Sequence, residues 1–118
     1  MQPLANLPSS TVALSKVEGT TVYAPNGDKL GSIRDLVIDK ASGQVRYAAL
    51  EFGGFLGMGT YLYPLPWAAL TFDTEMDGYI ANVSKKQLRQ APRHASHQPP
   101  TYTADYGRSV DEHYARVP

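Results

Sequence analysis

Three groups of side chains in this sequence have the types and spacing that chemistry requires. The first is His94, His97 and His113. Imidazoles bind zinc when a rigid scaffold fixes their geometry. His94 and His97 stand in a proline-rich stretch with no carboxylate close by in sequence, so they read as solvated residues and no metal is expected. The second group is the glycine loop Gly53-Gly54-Phe55-Leu56-Gly57-Met58-Gly59. A phosphate-cradling loop needs a following Lys-Ser or Lys-Thr and a helix opening behind it. Here Thr60 to Tyr63 reads as a strand instead, so no cofactor is expected. The third group is Asp35, Asp39 and Glu51. Paired carboxylates do acid–base work when their surroundings separate their proton affinities. Asp39 already has a turn to hold, and Arg34 and Arg46 are placed to pair with Asp35 or Glu51. No Ser-His-Asp or Cys-His arrangement stands out. No catalytic residue is assigned, and the chain reads as a non-enzyme.

What remains is contact chemistry. Phe55, Leu56 and Met58 are too many large apolar groups for one loop to bury in a small core. Exposed together they would form an apolar patch of the kind that marks an interface. Tyr102, Tyr106 and Tyr114 crowd the C-terminal tail, where aromatic side chains can anchor a contact. These six residues are the candidate interaction surface. Lys85, Lys86, Arg89 and Arg93 form a basic helix face, read as solvated.

The elements that must position these groups centre on Lys29 to Phe52. The first arm, Lys29 to Asp39, places Ile33 on one face and Leu36 and Ile38 on the other. A strand alternates with period two, so the phase slip near Arg34 and Asp35 predicts a bulge. The second arm, Gln44 to Phe52, is apolar on both faces and predicts an inner strand. Asp39 and Gly43 suit a type I turn followed by a glycine bulge.

Upstream, 1–13 reads as a mobile leader. Ser15-Lys16-Val17-Glu18 has capping-box spacing for a single helical turn. Thr20 to Tyr23 is a first strand, and Asn26-Gly27 favours a primed hairpin turn. Downstream, Pro64 and Pro66 restrict the strand that begins at Thr60, because proline cannot donate to a ladder. Trp67, in the apolar Trp67 to Phe72 segment, is expected to anchor the core. Tyr79 to Val83 reads as the last strand. Ser84 and Gln87 form a capping box, with Val83 and Leu88 as its hydrophobic staple, so a helix runs from Lys85 to Gln90 and stops before Pro92. Arg93 to Thr103 reads as a linker. A further Ser-x-x-Glu box at Ser109 predicts a terminal helix with Val110 and Tyr114 on one face.

Composition narrows the class. At 118 residues the chain is one domain by prior, and 42% hydrophobic residues supply a modest core. Eleven basic and eleven acidic residues cancel, which argues against a general nucleic-acid binder. No cysteine is present, so disulfides and thiolate metal sites are excluded. No apolar run approaches the roughly 18–20 residues that span a bilayer. The N-terminus has no signal-like pattern, and a cytoplasmic location is expected.

The ordered set Gly19-x-x-Val22-Tyr23, Asn26-Gly27-x-x-Leu30-Gly31-x-Ile33, Val37-Ile38-Asp39 into Ser42-Gly43, Val45-x-Tyr47, the glycine loop, and Pro66-Trp67-x-Ala69-Leu70 resembles the PRC-barrel domains. That family includes the cytoplasmic part of a photosynthetic reaction-centre H subunit and half of a ribosome maturation factor. The resemblance covers Leu14 to Pro92, and the tail with Asp105, Tyr106, Val110 and Tyr114 looks like the extension of stand-alone bacterial members. It implies a mainly β fold, a small barrel of short, strongly bent antiparallel strands, with a short helix after the last strand and a helical tail. The division expected is leader 1–13, barrel 14–92, linker and tail 93–118. It implies interaction rather than catalysis, and the chain is accordingly expected to be an adaptor that binds protein and forms a homodimer; a small-ligand or metal-binding regulatory domain is the alternative.

Overall fold

The computed structural model describes residues 11–52 and 61–115. Its centre is the hairpin of β2 (Lys29–Ile38) and β3 (Val45–Glu51). The register of this pair slips between Ile33 and Asp35, which is the bulge expected near Arg34. Asp35 Oδ1 accepts from the Leu36 N–H at 2.9 Å there. A second slip lies between Val37 and Ile38. It leaves Ile38 53% exposed, so Ile38 does not share the half-buried setting of Leu36. The turn is closed by Asp39, whose Oδ1 accepts from the Ala41 and Ser42 N–H groups at 2.9 Å each. Gly43 takes φ 75° and donates its N–H to the Asp39 carbonyl. The bonds from Ser42, and then Ala41, hold the Asp39 carboxyl below the usual carboxylate range.

Around this hairpin lie α1 (Leu14–Val17), β1 (Thr21–Tyr23), β4 (Tyr61–Pro66), a 3-10 turn at Trp67–Ala69, β5 (Leu70–Asp73), β6 (Gly78–Ala81), α2 (Lys85–Arg89), β7 (His94–Ala95) and α3 (Ala104–Ala115). The strands form a single seven-stranded sheet in the order β5-β6-β1-β2-β3-β4-β7. Two expectations are corrected here. Among the described residues the sheet is bent but not closed into a barrel, because β5 and β7 end it without pairing to each other. With two residues in β7 and four in β5, neither edge carries a ladder long enough to close it. The pairing is also not wholly antiparallel: β1 and β6 run parallel, with Val22 beside Tyr79.

Local sequence explains most elements and corrects others. β4 runs through both prolines to Pro66, further than the short strand expected. Among the described residues β7 reaches Tyr61 and Leu62 alone, so beyond them β4 is the outer strand, where a missing N–H breaks no ladder. The β1–β2 turn has Gly27 at φ 93° while Asn26 keeps negative φ, so it is not the primed turn that needs both residues positive. The N-cap of α1 is Ala13 with no side-chain bond, so Ser15 lies inside the turn rather than capping it. His94–Ala95 forms a seventh strand inside the stretch read as a linker, so Tyr79 to Val83 is not the last.

The core gathers Val22, Ile33, Leu50, Leu65 and Leu88, all fully buried. Trp67 packs against it, with its ring 5.4 Å from Tyr79. Ser84 caps α2 by accepting from the Gln87 N–H at 3.0 Å, and Val83 and Leu88 are both buried in the core cluster, as the staple requires. Ser84→Ala is therefore expected to lower stability by about 1 kcal/mol in a urea titration.

Candidate interaction surface

The terminal helix α3 packs on β4 and joins the tail to the sheet. It begins earlier than its sequence signal suggested. Thr103 caps it, with Oγ1 accepting from the Tyr106 N–H at 3.1 Å and its carbonyl from the Gly107 N–H at 2.9 Å. Asp105 in the first turn suits the positive end of the helix and pairs with Arg108 at 2.8 Å. Ser109 lies mid-helix and donates its hydroxyl to the Tyr106 carbonyl at 2.7 Å. It is not a cap, and the Ser-x-x-Glu pattern there is coincidental.

The face α3 turns inward carries Gly107, Val110 and Tyr114. Val110 is fully buried, and Tyr114 packs against the core. Gly107 lets the helix approach Tyr47 of β3: a Cβ there would sit 2.8 Å from the Tyr47 hydroxyl oxygen. That hydroxyl donates to Asp111 Oδ1 at 3.1 Å and lies 3.3 Å from the Gly107 carbonyl oxygen. Tyr102 stacks 5.7 Å from Tyr47, and Tyr106 meets Tyr102 edge-on at 5.0 Å. At the far end His113 Nε2 donates to the Gln87 carbonyl of α2 at 2.7 Å. The Arg93 guanidinium lies 3.8 Å over the Tyr61 ring and donates to the Tyr63 hydroxyl at 3.2 Å, so it is engaged with β4 rather than simply solvated.

This seam is apolar in substance but not fully matched in hydrogen bonds. Among the described residues, the hydroxyl oxygens of Tyr102, Tyr106 and Tyr114 are buried with no hydrogen-bond partner, as is His94 Nε2. Burial raises the proton affinity of all three phenols; neighbouring tyrosines add to the effect at Tyr102 and Tyr114, and Asp35 at Tyr102. Tyr47 is raised by burial and then by Asp111. A phenol raised in the folded state contributes stability that is complete below its unfolded value, about 10, and lost above it. Docking of α3 is therefore expected to hold up to about pH 10 and to fail steeply above it, because several phenols titrate together once released. Phenolate absorbance at 295 nm and loss of helical circular dichroism, followed across the same pH steps, would test this; coincident transitions are expected.

The structure thus brings Tyr102, Tyr106 and Tyr114 into one seam. Phe55, Leu56 and Met58 lie outside the described residues. Sequence reasoning gave Gly107 and Asp111 no role, read His113 only as a candidate metal ligand and Tyr47 only as part of the family pattern; the spacing of Gly107, Val110 and Tyr114 along one helical stripe was the available signal for the seam. The three carboxylates do not converge. Glu51 pairs with Arg34 at 3.5 Å and Asp39 with Arg46 at 3.9 Å, both partly exposed. Among the described residues, no three His, Asp or Glu side chains come together to hold a metal, and no helix is long and apolar enough to cross a membrane.

One bent sheet clasped by a helical tail defines a small β-domain whose most elaborate surface is an aromatic seam. The chain belongs to the PRC-barrel domain family, whose sequence pattern matches residues 10–88. It is also similar to an uncharacterized protein of Deinococcus radiodurans, with 25% identity over 80 residues. The aligned part is 68% of this chain and 28% of that protein, so the chain spans well under two thirds of that relative's length.

Proposed function

We propose that the chain is a non-catalytic interaction module of the PRC-barrel type that associates with a second copy of itself and uses its tail as an exchangeable contact. The observation that carries this reading is the mismatch in the aromatic seam. The hydroxyls of Tyr102, just before α3, and of Tyr106 and Tyr114 on it are buried with no hydrogen-bond partner among the described residues. Each buried unmatched polar group costs about 1–3 kcal/mol, so α3 is held less firmly than its apolar contacts alone would allow. A tail held in this way can leave its seat and present Val110, Tyr114 and the neighbouring tyrosines to another chain. Phe55, Leu56 and Met58 supply the second contact in this reading. The family membership supports a β-domain that works by surface contact.

Sedimentation of the full chain over a concentration series tests the proposal. A dimer is expected, with Tyr114→Ser, or Phe55→Ser with Leu56→Ser, weakening it about tenfold or more, equivalent to about 1.4 kcal/mol. A parent chain that stays monomeric at the highest concentration, or variants that dimerise as well as the parent, would overturn it.

A further inference from the structure

A groove of about 880 Å3 lies over β6 and β1, beside α1. It is far along the sheet from β4, on which α3 packs. Its floor is apolar and aromatic: Val17 and Tyr79 are buried there, and Phe72 meets Tyr79 edge-on at 5.3 Å. Phe72 is nevertheless 47% exposed and Val12, also in the lining, is 56% exposed. Charge does not choose the occupant, because Glu18 and Asp77 line the groove together with Lys16. Nor is a backbone ladder free beneath it: β6 lies between β5 and β1, and β1 between β6 and β2. Whatever fills the groove must hold on through apolar side chains, as the occupants of concave, mostly apolar sites do.

Position and composition point to one such segment. Residues 1–10 lie outside the described part of the chain and join it at Thr11, which lines the groove with Val12. They carry no charged side chain, and Leu4 and Leu7 stand three residues apart between Pro3 and Pro8. Proline-rich segments favour the polyproline II helix, which repeats every three residues and rises about 3.1 Å per residue. In that form Leu4 and Leu7 share one edge about 9 Å apart, and Leu7 is about 12 Å of chain from Thr11. Aromatic-lined grooves are recurrent seats for such helices. We propose that residues 1–10 dock in this groove in cis as a polyproline II segment, with Leu4 and Leu7 packed against Phe72, Tyr79 and Val17. The tether favours this chain's own segment over a second copy's, because a short linker holds it at an effective concentration in the millimolar range. The leader then covers Phe72 and closes the groove to other chains. This contact goes beyond the tail-dependent association and does not require it.

The test uses the full chain. Nuclear Overhauser contacts are expected between the methyl groups of Leu4 and Leu7 and the rings of Phe72 and Tyr79. Leu4→Ser with Leu7→Ser is expected to abolish them and to shift the amides of Thr21, Phe72 and Tyr79. A fluorescein-labelled peptide of residues 1–10 is expected to bind that double variant about tenfold or more tightly than the parent, whose groove is filled. Adding Phe72→Ser to the double variant is expected to weaken the peptide about tenfold. Absence of the contacts, an unchanged amide spectrum in the double variant, or equal peptide binding to variant and parent would overturn the inference. Contacts that fade on dilution of the parent would also overturn it, by placing the leader in a second copy. None of these outcomes bears on the tail-dependent dimer, which the sedimentation variants judge separately.

Discussion

Gly31→Ala is expected to remove about 3 kcal/mol of stability, a large share of the 5–15 kcal/mol typical of a folded domain. Gly31 lies in β2 beside Val22 of β1, and β2 is also paired to β3. A Cβ built on it would fall on the backbone carbonyl oxygen of Glu51, with Leu50 Cδ1 at 3.4 Å. A flexible side chain could swing aside, but a carbonyl inside a ladder cannot. The methyl group can be accommodated only if β2 and β3 part near Ser32 and Glu51, which are register partners there. The same junction holds Ile33 opposite Leu50, both fully buried, so separation would open the core as well. Urea unfolding followed by Trp67 fluorescence would give the change. A loss below about 0.5 kcal/mol would show that the strands yield and that the close approach is not a constraint.

Val110→Asp is expected to release the tail without unfolding the sheet. Val110 is 0% exposed on the inner face of α3. An isolated carboxylate at that position would cost more to bury than the helix gains by docking, so α3 would leave its seat. The loss is therefore capped at the docking free energy. A free twelve-residue helix is marginal in water, so helical signal should fall. Amide exchange in Ala104–Ala115 is expected to quicken about a hundredfold or more, equivalent to about 2.7 kcal/mol, while β2 and β3 stay protected. Tyr102, Tyr106 and Tyr114 should then titrate near 10, the ordinary phenol value. Simultaneous loss of protection in α3 and in the sheet would instead make the tail an integral part of the core, and would count against its exchange between copies.

The parts of the fold that could be read from sequence are those determined by neighbouring residues. The bulge near Arg34, the Asp39–Gly43 turn and the Ser84 cap each follow from local steric or hydrogen-bonding preferences, and each is present. The errors concern choices made by distant partners. Prolines argued for a short β4, but the strand continues because β3 supplies its ladder from one side. Barrel closure and strand direction depend on which edges meet, and nothing local specifies that β1 should lie parallel to β6. Polarity made Arg93 to Thr103 look unable to pack, yet β7 pairs with β4 and Tyr102 packs on Tyr47. In the candidate surface, the tail tyrosines stood out by composition. Their receptor, Tyr47, sits in a strand where an aromatic residue carries no special signal.

The parallel pairing of β1 with β6 also orders events in time. β2, β3 and β4 join through successive neighbours in the chain, so their meander can assemble early. β6 must find β1 with that whole meander lying between them. Loop closure of that kind costs entropy before its contacts return any energy, and folds rich in distant pairings form slowly for this reason. The step that seats Tyr79 beside Val22 is thus expected to be the slow one in folding. Until then the aromatic side chains of β5 and β6 are expected to stay accessible to other molecules, which makes those two strands the ones most exposed to misassociation in a newborn chain.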